Sequence, residues 1–393
     1  MGLLREHTTV VSEPSAHPAD FRQGMRGVRV ALVHDWLVTL GGADRVLLAL
    51  HEVFPSAPVY TMLSDPARLP EAFSHLDVRT SFLQHLPGAI SHHRWLVPLM
   101  TAAVRAFDLR GFQVVVSSSH ACAKGVVVPP GAVHICYCHT PMRYAWDLGG
   151  TYLETLPVAA RPLAAAALGW LRRWDRSTAA RVHHFIANSH HVAGRIRAHY
   201  GRDAAVIYPP VDTTFFTPGA GGDGGEYFLA VGRLVPYKRL DLAVEAFTRM
   251  RRPLVVVGAG PQMPRLRAMA GPTVRFVGEV PDATLRDYYR GCRAVIFPGI
   301  EDFGLVPVEA QACGRPVIAY AEGGALESVV EGEGGVFFRT PTAASLAETV
   351  REFDRLRFDP WTVRRHAERF SAQRFCEQIA AFVVQVLWTT SSA

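Results

Sequence analysis

An α/β fold in two parallel-sheet halves is what this sequence predicts, and three observations predict it. The first is length: 393 residues exceed what one hydrophobic core ordinarily covers, so two domains are expected. The second is residues 28–34 (VRVALVH), an unbroken apolar run followed by the pair Gly41-Gly42 and a helical pattern over residues 43–53. A strand buried on both faces reads this way, and a glycine turn into a helix opens a Rossmann-like unit. The third is repetition. After the glycine-rich stretch 219–225, a second strand (227–231, YFLAV) leads through Gly232-Arg233 into a helix at residues 240–249. The expected organisation is therefore a polar, disordered leader at 1–27, a first Rossmann-like domain at 28–212 and a second at 213–369, the two α/β/α domains facing across a cleft. A last helix at about 370–390 is expected to return to the first domain.

In the first half, short strands are expected at 58–62 and 78–82. Residues 83–109 interleave Leu, Ile, Trp, Met and Phe with His85, His92, His93, Arg94 and Arg105. They read as amphipathic helix, packed inside or lying on a membrane surface. A buried strand at 112–117 runs into a loop holding Lys124. Residues 133–139 (VHICYCH) alternate, so Tyr137 and His139 share one face while Cys136 and Cys138 share the other. That alternation argues against a zinc site at Cys136, Cys138 and His139. The strand ends in His139-Thr-Pro-Met-Arg143-Tyr-Ala-Trp-Asp147, at the carboxyl edge where open parallel sheets hold ligands. An alanine-rich helix at 157–181, a strand at 184–187, an Asn188-Ser189 cap for a helix at 192–200, and a strand at 205–208 follow. Pro209-Pro210 then force extended backbone and close the domain.

In the second half, residues 254–258 form a strand ending in Gly258-Ala-Gly260-Pro261. Met263 stands where the third glycine of a dinucleotide fingerprint belongs, which argues against a nicotinamide-dependent oxidoreductase. A strand at 274–277 and a helix at 283–290 lead to the stretch 297–319, FPGIEDFGLVPVEAQACGRPVIA. Here a buried strand ends in the turn Glu301-Asp-Phe303-Gly304-Leu305. Pro307 opens a helix in its first turn and Gly314 closes it. Such a turn aims backbone N–H groups and a positive helix end at an anion. Glu301 and Glu309 suit a ligand with one carboxylate beside each end. A helix at 325–331, a strand at 336–338 and helices at 345–353 and 372–388 complete the half.

The net charge of +6 and pI near 9.1 suit an anionic ligand or an anionic lipid surface as well as ordinary solvation. Lys124 and Lys238 are the only lysines, so 39 of the 41 basic residues are arginine. Each lysine is thus a candidate for work that needs a compact ammonium. Arg233 and Lys238, placed before a helix start, make a natural diphosphate clamp. Six scattered cysteines fit a reducing cytoplasm. Without an apolar run of about 18 residues, contact with a membrane is at most peripheral, on its inner face.

Taken in order, Gly41-Gly42, His139 to Asp147, Tyr208-Pro-Pro-Val-Asp212, Arg233 to Arg239 and Glu301 to Glu309 resemble GT-B-fold glycosyltransferases of family 4. This is the retaining, sugar-nucleotide-dependent group, and the motifs from His139 onward look like its bacterial branch that includes mannosyltransferases of surface-polysaccharide assembly. The resemblance covers residues 28–385. It implies transfer of a hexose, mannose from GDP-mannose, to a glycan or lipid-linked acceptor, with no metal, no cofactor and no nucleic-acid partner. A UDP-sugar donor or a small natural-product acceptor is the same-fold alternative. Arg233 and Lys238 would hold the donor diphosphate, assisted by the turn at Phe303, Gly304 and Leu305. Glu309 would bind the ribose, Glu301 the donor sugar, and His139 would lie near that sugar. Gly41 and Gly42 would let the backbone approach the diphosphate and the acceptor. Lys124, Arg143, Asp147 and Gly260 are further candidates for ligand contact.

Overall fold

The computed structural model describes residues 25–391 except 26, 39, 40, 148, 150–152, 154–156 and 220–223. Most of the expected leader and most of the glycine-rich stretch fall outside these residues. The chain forms two compact units, one running to Tyr208 and taking up the residues from Phe375 onward, the other Pro209–Arg374.

The first unit is built on seven parallel strands, β1 (Val30–His34), β2 (Val59–Thr61), β3 (Val78–Thr80), β4 (Val114–Ser119), β5 (Val133–Cys138), β6 (His184–Ala187) and β7 (Ala204–Val206). Their order is β3-β2-β1-β4-β5-β6-β7. Every residue of β1, β4 and β5 is buried, which is why they read as continuous apolar runs. Side chains alternate between two layers. Leu32, Val114, Val116 and Ile135 pack with Val46, Leu47 and Leu50 of the helix Gly42–Val53. Ala31, Val33 and Val115 pack on the other side with Met100 and Val104. From Phe375 onward the carboxyl-terminal helix Ala372–Ser391 belongs to this unit, burying Phe375, Ile379, Phe382, Val383 and Val386 against the first layer.

The second unit has six parallel strands, β8 (Phe228–Val231), β9 (Leu254–Val257), β10 (Val274–Gly278), β11 (Val295–Phe297), β12 (Val317–Tyr320) and β13 (Gly335–Phe338). Their order is β10-β9-β8-β11-β12-β13. Phe228, Ala230 and Val256 pack with Val244 and Phe247 of the helix Leu240–Met250 and with Leu346 and Val350 of the helix Ala343–Phe353.

Local expectations differ from the structure in six places. Residues 83–109 are not a long amphipathic helix: they form short 3-10 turns and one seven-residue helix, Val97–Ala103. Pro98 sits in that helix's first turn, where a missing N–H is tolerated, and it bars helix from running in from the amino side. The helix expected to open at Pro307 begins at Leu305, after Gly304 at φ +86°. The one expected over 325–331 ends at Ser328. The strand β12 and the helices Met263–Met269 and Pro360–Glu368 were not expected at all. The last of these is tied in by Arg364, which donates to the carbonyls of Thr213, Phe216 and Ala312 at 2.8 to 3.0 Å.

Candidate functional site

In the second unit the chain leaves β8 for β9 on one side and β11 for β12 on the other. Open parallel sheets hold ligands outside the strand ends at such a switch point. The loop after β8 carries Gly232, Arg233 and Lys238, and the loop after β11 carries Glu301, Phe303 and Gly304. The two loops meet: Lys238 Nζ lies 2.7 Å from Glu301 Oε1, the side chains being 15% and 18% exposed. Gly299 permits this approach, since a Cβ there would sit 2.7 Å from the Lys238 Cα. Arg233 is exposed in the same loop.

Glu309 is 5% exposed and accepts a 2.8 Å hydrogen bond from the Tyr289 hydroxyl, itself fully buried. It is a carboxylate held within the fold, not one on a solvated helix face. The Phe303 ring is also buried, edge-on to Phe370, so the turn offers backbone at that position. Gly304 and Leu305 start the helix Leu305–Ala312, whose positive end lies in the same loop as Glu301. Gly260 serves a close backbone approach: a Cβ would come within 2.5 Å of the Leu234 carbonyl oxygen. That packing of the β9 loop on the β8 loop accounts for the Gly-x-Gly without a dinucleotide.

In the first unit, four neighbouring strands deliver polar groups to one carboxyl edge. His34 ends β1, Ser118 and Ser119 end β4, His139 follows β5 and Asn188 follows β6. The His139 amide donates to the Ser119 carbonyl at 2.9 Å, and its own carbonyl accepts from Asn188 Nδ2 at 3.0 Å. The His139 ring contacts Ser118 Oγ through Nε2 at 2.8 Å. Ser118 Oγ is 3.1 Å from His34 Nδ1, and His34 Nε2 is 3.1 Å from Asp44 Oδ1. The other Asp44 oxygen accepts the Gly41 N–H at 2.6 Å, capping the helix that Gly42 begins. Burial, with His120 and His34 beside it, holds the His139 imidazole well below the usual histidine range.

Asp35 is fully buried and accepts four backbone N–H groups, from His120, Ala121, Cys122 and Ala123, at 2.6 to 2.9 Å. Burial alone would raise its pKa; His120, whose Nδ1 is 3.0 Å away and whose amide donates to it, and His34 keep it well below the ordinary carboxylate range. It thereby shapes the loop that leads to Lys124.

Lys124 does not present its ammonium at the loop surface. The side chain is buried, and Nζ donates to Asp175 and to the Ala121 carbonyl. Asp175 also accepts from Trp146 Nε1 at 2.8 Å and from the Tyr200 hydroxyl at 2.7 Å. Burial alone would lower the lysine pKa, and Asp175 raises it above the ordinary value. Asp147 is exposed and paired with Arg195, which also donates to Thr140 Oγ1 at 2.7 Å. Arg143 is half-buried at the start of the helix Arg143–Trp146.

Cys136 and Cys138 pack in an apolar cluster with Ala179 and Val182, on the side of the sheet opposite Tyr137. Among the described residues no group of three His, Cys, Asp or Glu side chains could hold a metal ion. His34, Asp35, Asp44 and Ser118 escaped the sequence reading, and Asn188, read there only as part of a helix cap, donates instead to the His139 carbonyl. Their signal was present as polar residues at the ends of apolar strands (VH-D35, VVVSSS).

Residues 40–215 match the family described as Glycosyltransferase Family 4, and residues 214–368 match Glycosyl transferases group 1. The chain is family 4-like. The family 4-like chain is 33% identical over 240 residues to a D-inositol 3-phosphate glycosyltransferase of Geodermatophilus obscurus, covering 53% of each. It is 35% identical over 189 residues to the Frankia alni protein of the same name, covering 40% of this chain and 46% of that one. It thus spans about half the length of the relatives it matches. Among solved structures, HepE of Anabaena in complex with UDP aligns over 91% of this chain and all of its own, with TM-score 0.67 and 18% identity. Sucrose-phosphate synthase from Thermosynechococcus elongatus aligns over 92% and 100%, with TM-score 0.68 and 19% identity. The fold is GT-B, with the two Rossmann-like domains that the sequence predicts.

Proposed function

We propose that this protein is a retaining glycosyltransferase that moves a hexose from a nucleotide sugar to a hydroxyl acceptor. The observation that carries the reading is the Lys238–Glu301 pair at the switch point of the second sheet, in the same loop as a helix amino terminus. A compact cation beside backbone N–H groups suits a diphosphate, and a carboxylate beside the cation suits the hydroxyls of a sugar. In the proposed reaction the bond between the anomeric carbon and the diphosphate oxygen breaks. The acceptor oxygen bonds to that carbon on the same face, and the acceptor proton passes to the departing phosphate oxygen. Lys238 and Arg233 offset the charge on the leaving group, Glu309 holds the ribose, and His139 meets the donor sugar. Arg143 and Asp147 would serve the acceptor side. No protein base and no metal is assigned a step.

The donor we propose is GDP-mannose, from the likeness of the motifs at 139–147 and 301–309 to mannosyltransferases, and the acceptor a glycan or lipid-linked glycan. A UDP-sugar donor is the second reading, with UDP-glucose, present in a HepE structure, as its probe. A cyclitol phosphate is the second acceptor to test, after the names of the relatives. Thermal-shift titration with GDP-mannose, GDP, UDP-glucose and UDP tests the donor. GDP-mannose at a hundred times its Kd is expected to stabilise the folded protein by about 2.7 kcal/mol, unchanged by EDTA. Stabilisation by UDP compounds alone would replace the donor; none by either would remove the transferase reading.

We also infer peripheral contact with an anionic bilayer on the cytoplasmic side. No helix among the described residues is long and apolar enough to cross a membrane. However, Val158 in the turn before the helix Arg161–Ala179, and Leu163 and Trp170 along it, are 74%, 78% and 43% exposed, with Arg161, Arg172 and Arg173 exposed on the same helix. Apolar and aromatic side chains beside arginines match the interface of an anionic bilayer. Co-sedimentation with phosphatidylglycerol vesicles, absent with phosphatidylcholine vesicles and lost in Leu163→Asp/Trp170→Asp, is the expected result. Equal recovery with both vesicles would remove the proposal.

A further inference from the structure

Four buried side chains at the carboxyl edge of the first sheet form an unbroken hydrogen-bonded series, Asp44, His34, Ser118 and His139. The direction of each bond follows from the first member together with a neutral His34. A carboxylate only accepts, so the His34 proton facing Asp44 is on Nε2. In the neutral imidazole His34 Nδ1 is then a lone pair, and it accepts the Ser118 hydroxyl proton at 3.1 Å. The Ser118 oxygen, its proton committed, accepts at 2.8 Å from His139 Nε2–H. The proton of His139 is thereby assigned to Nε2.

We propose that Asp44, His34 and Ser118 are positioning residues that fix His139 as its Nε2–H tautomer, so that its Nδ1 lone pair is what the protein offers to a bound substrate. The group that meets it is a hydrogen-bond donor, a hydroxyl of a sugar or polyol, and not a carboxylate or phosphate oxygen. Ser118 and Tyr137 hold the ring, and two hydrogen bonds hold its backbone. His34 and Ser118 are fully buried and His139 is 9% exposed. The backbone of His139 is bonded to Ser119 and Asn188. Tyr137 stands edge-on to it with ring centres 5.2 Å apart. The lowered pKa of the buried ring agrees with a neutral, accepting imidazole. Asp44 joins this series to the glycine turn, because the same carboxylate takes the Gly41 N–H. The identity of the substrate rests on the glycosyltransferase reading; the tautomer does not.

Long-range proton–nitrogen correlation spectra of the full-length protein, labelled with 15N-histidine, test the tautomer without any substrate. The His139 signals are identified by their loss in His139→Gln. The expected spectrum at neutral pH has a protonated Nε2 and an unprotonated Nδ1; a protonated Nδ1 or an averaged pair would overturn the relay. Asp44→Asn makes the sharper test. Its carbonyl must stay on the Gly41 N–H, so its NH2 faces His34 Nε2. Every bond in the series should then reverse and leave His139 with its proton on Nδ1. Transfer activity should fall roughly 10- to 100-fold in kcat/KM, the range expected when a donor hydroxyl meets a second donor. An unchanged His139 spectrum in a folded Asp44→Asn protein would also overturn the relay. If that variant does not fold, Ser118→Ala replaces it, with averaged His139 tautomers expected and the wild-type pattern contradicting the proposal. A wild-type spectrum as expected in a protein that transfers no sugar would sink the functional reading and leave the relay standing.

Discussion

Lys124→Ala is expected to lower the stability of the protein by about 3–5 kcal/mol, because it leaves the Asp175 carboxylate buried without its counter-charge. Trp146 and Tyr200 donate to that same carboxylate, so the loss should extend to the anchoring of the segment around Arg143–Trp146 on the helix Arg161–Ala179. Urea unfolding followed by circular dichroism, and by the fluorescence of Trp146 and Trp174, measures it. Donor affinity of the folded fraction should not change. A stability loss below about 1 kcal/mol, the range of exposed ion pairs, would return Lys124 to the candidates for ligand contact.

Lys238→Ala should do the opposite. Its ammonium is partly open at the switch point, and its partner Glu301 keeps access to water. The stability change is therefore expected to stay within about 1 kcal/mol. Turnover should fall on the order of 10²–10³-fold, the usual consequence of removing one group that stabilises charge developing in the transition state. Lys238→Arg is not expected to restore it, because a planar guanidinium does not replace a point charge where Gly299 and Gly232 leave only the width of a lysine stem. Steady-state kinetics on the donor separates the cases. A rise in KM at unchanged kcat would mean that Lys238 binds the ground state and the transition state equally.

The two lysines show what could be read from the sequence and what could not. Both stood out against the arginine background, and the structure gives each a carboxylate partner, Asp175 for Lys124 and Glu301 for Lys238. Nothing in the sequence distinguished the buried one from the partly open one, because Asp175 and Glu301 are brought to them by sheet order and helix packing. His139 was legible from its place at a strand end, whereas its supporting side chains were not. His34, Asp44 and Ser118 lie far from it in the chain, and only the adjacency of β1, β4 and β5 unites them. The strand pattern was clearest where burial on both faces makes unbroken apolar runs, as in β1 and β4. It failed at β12, four residues long and placed directly behind a short helix, and over 83–109, where apolar residues are shared between inward and exposed positions in turns without a regular period.

The helix Ala372–Ser391 completes the first core, but the ribosome makes it only after the whole of the second unit. Until then the groove that receives Phe375, Ile379, Phe382 and Val383 stands open beside Leu47 and Leu50. Domains usually fold in the order in which they are synthesised. In this chain the first unit to emerge is the one that must wait, and the second can finish folding before it.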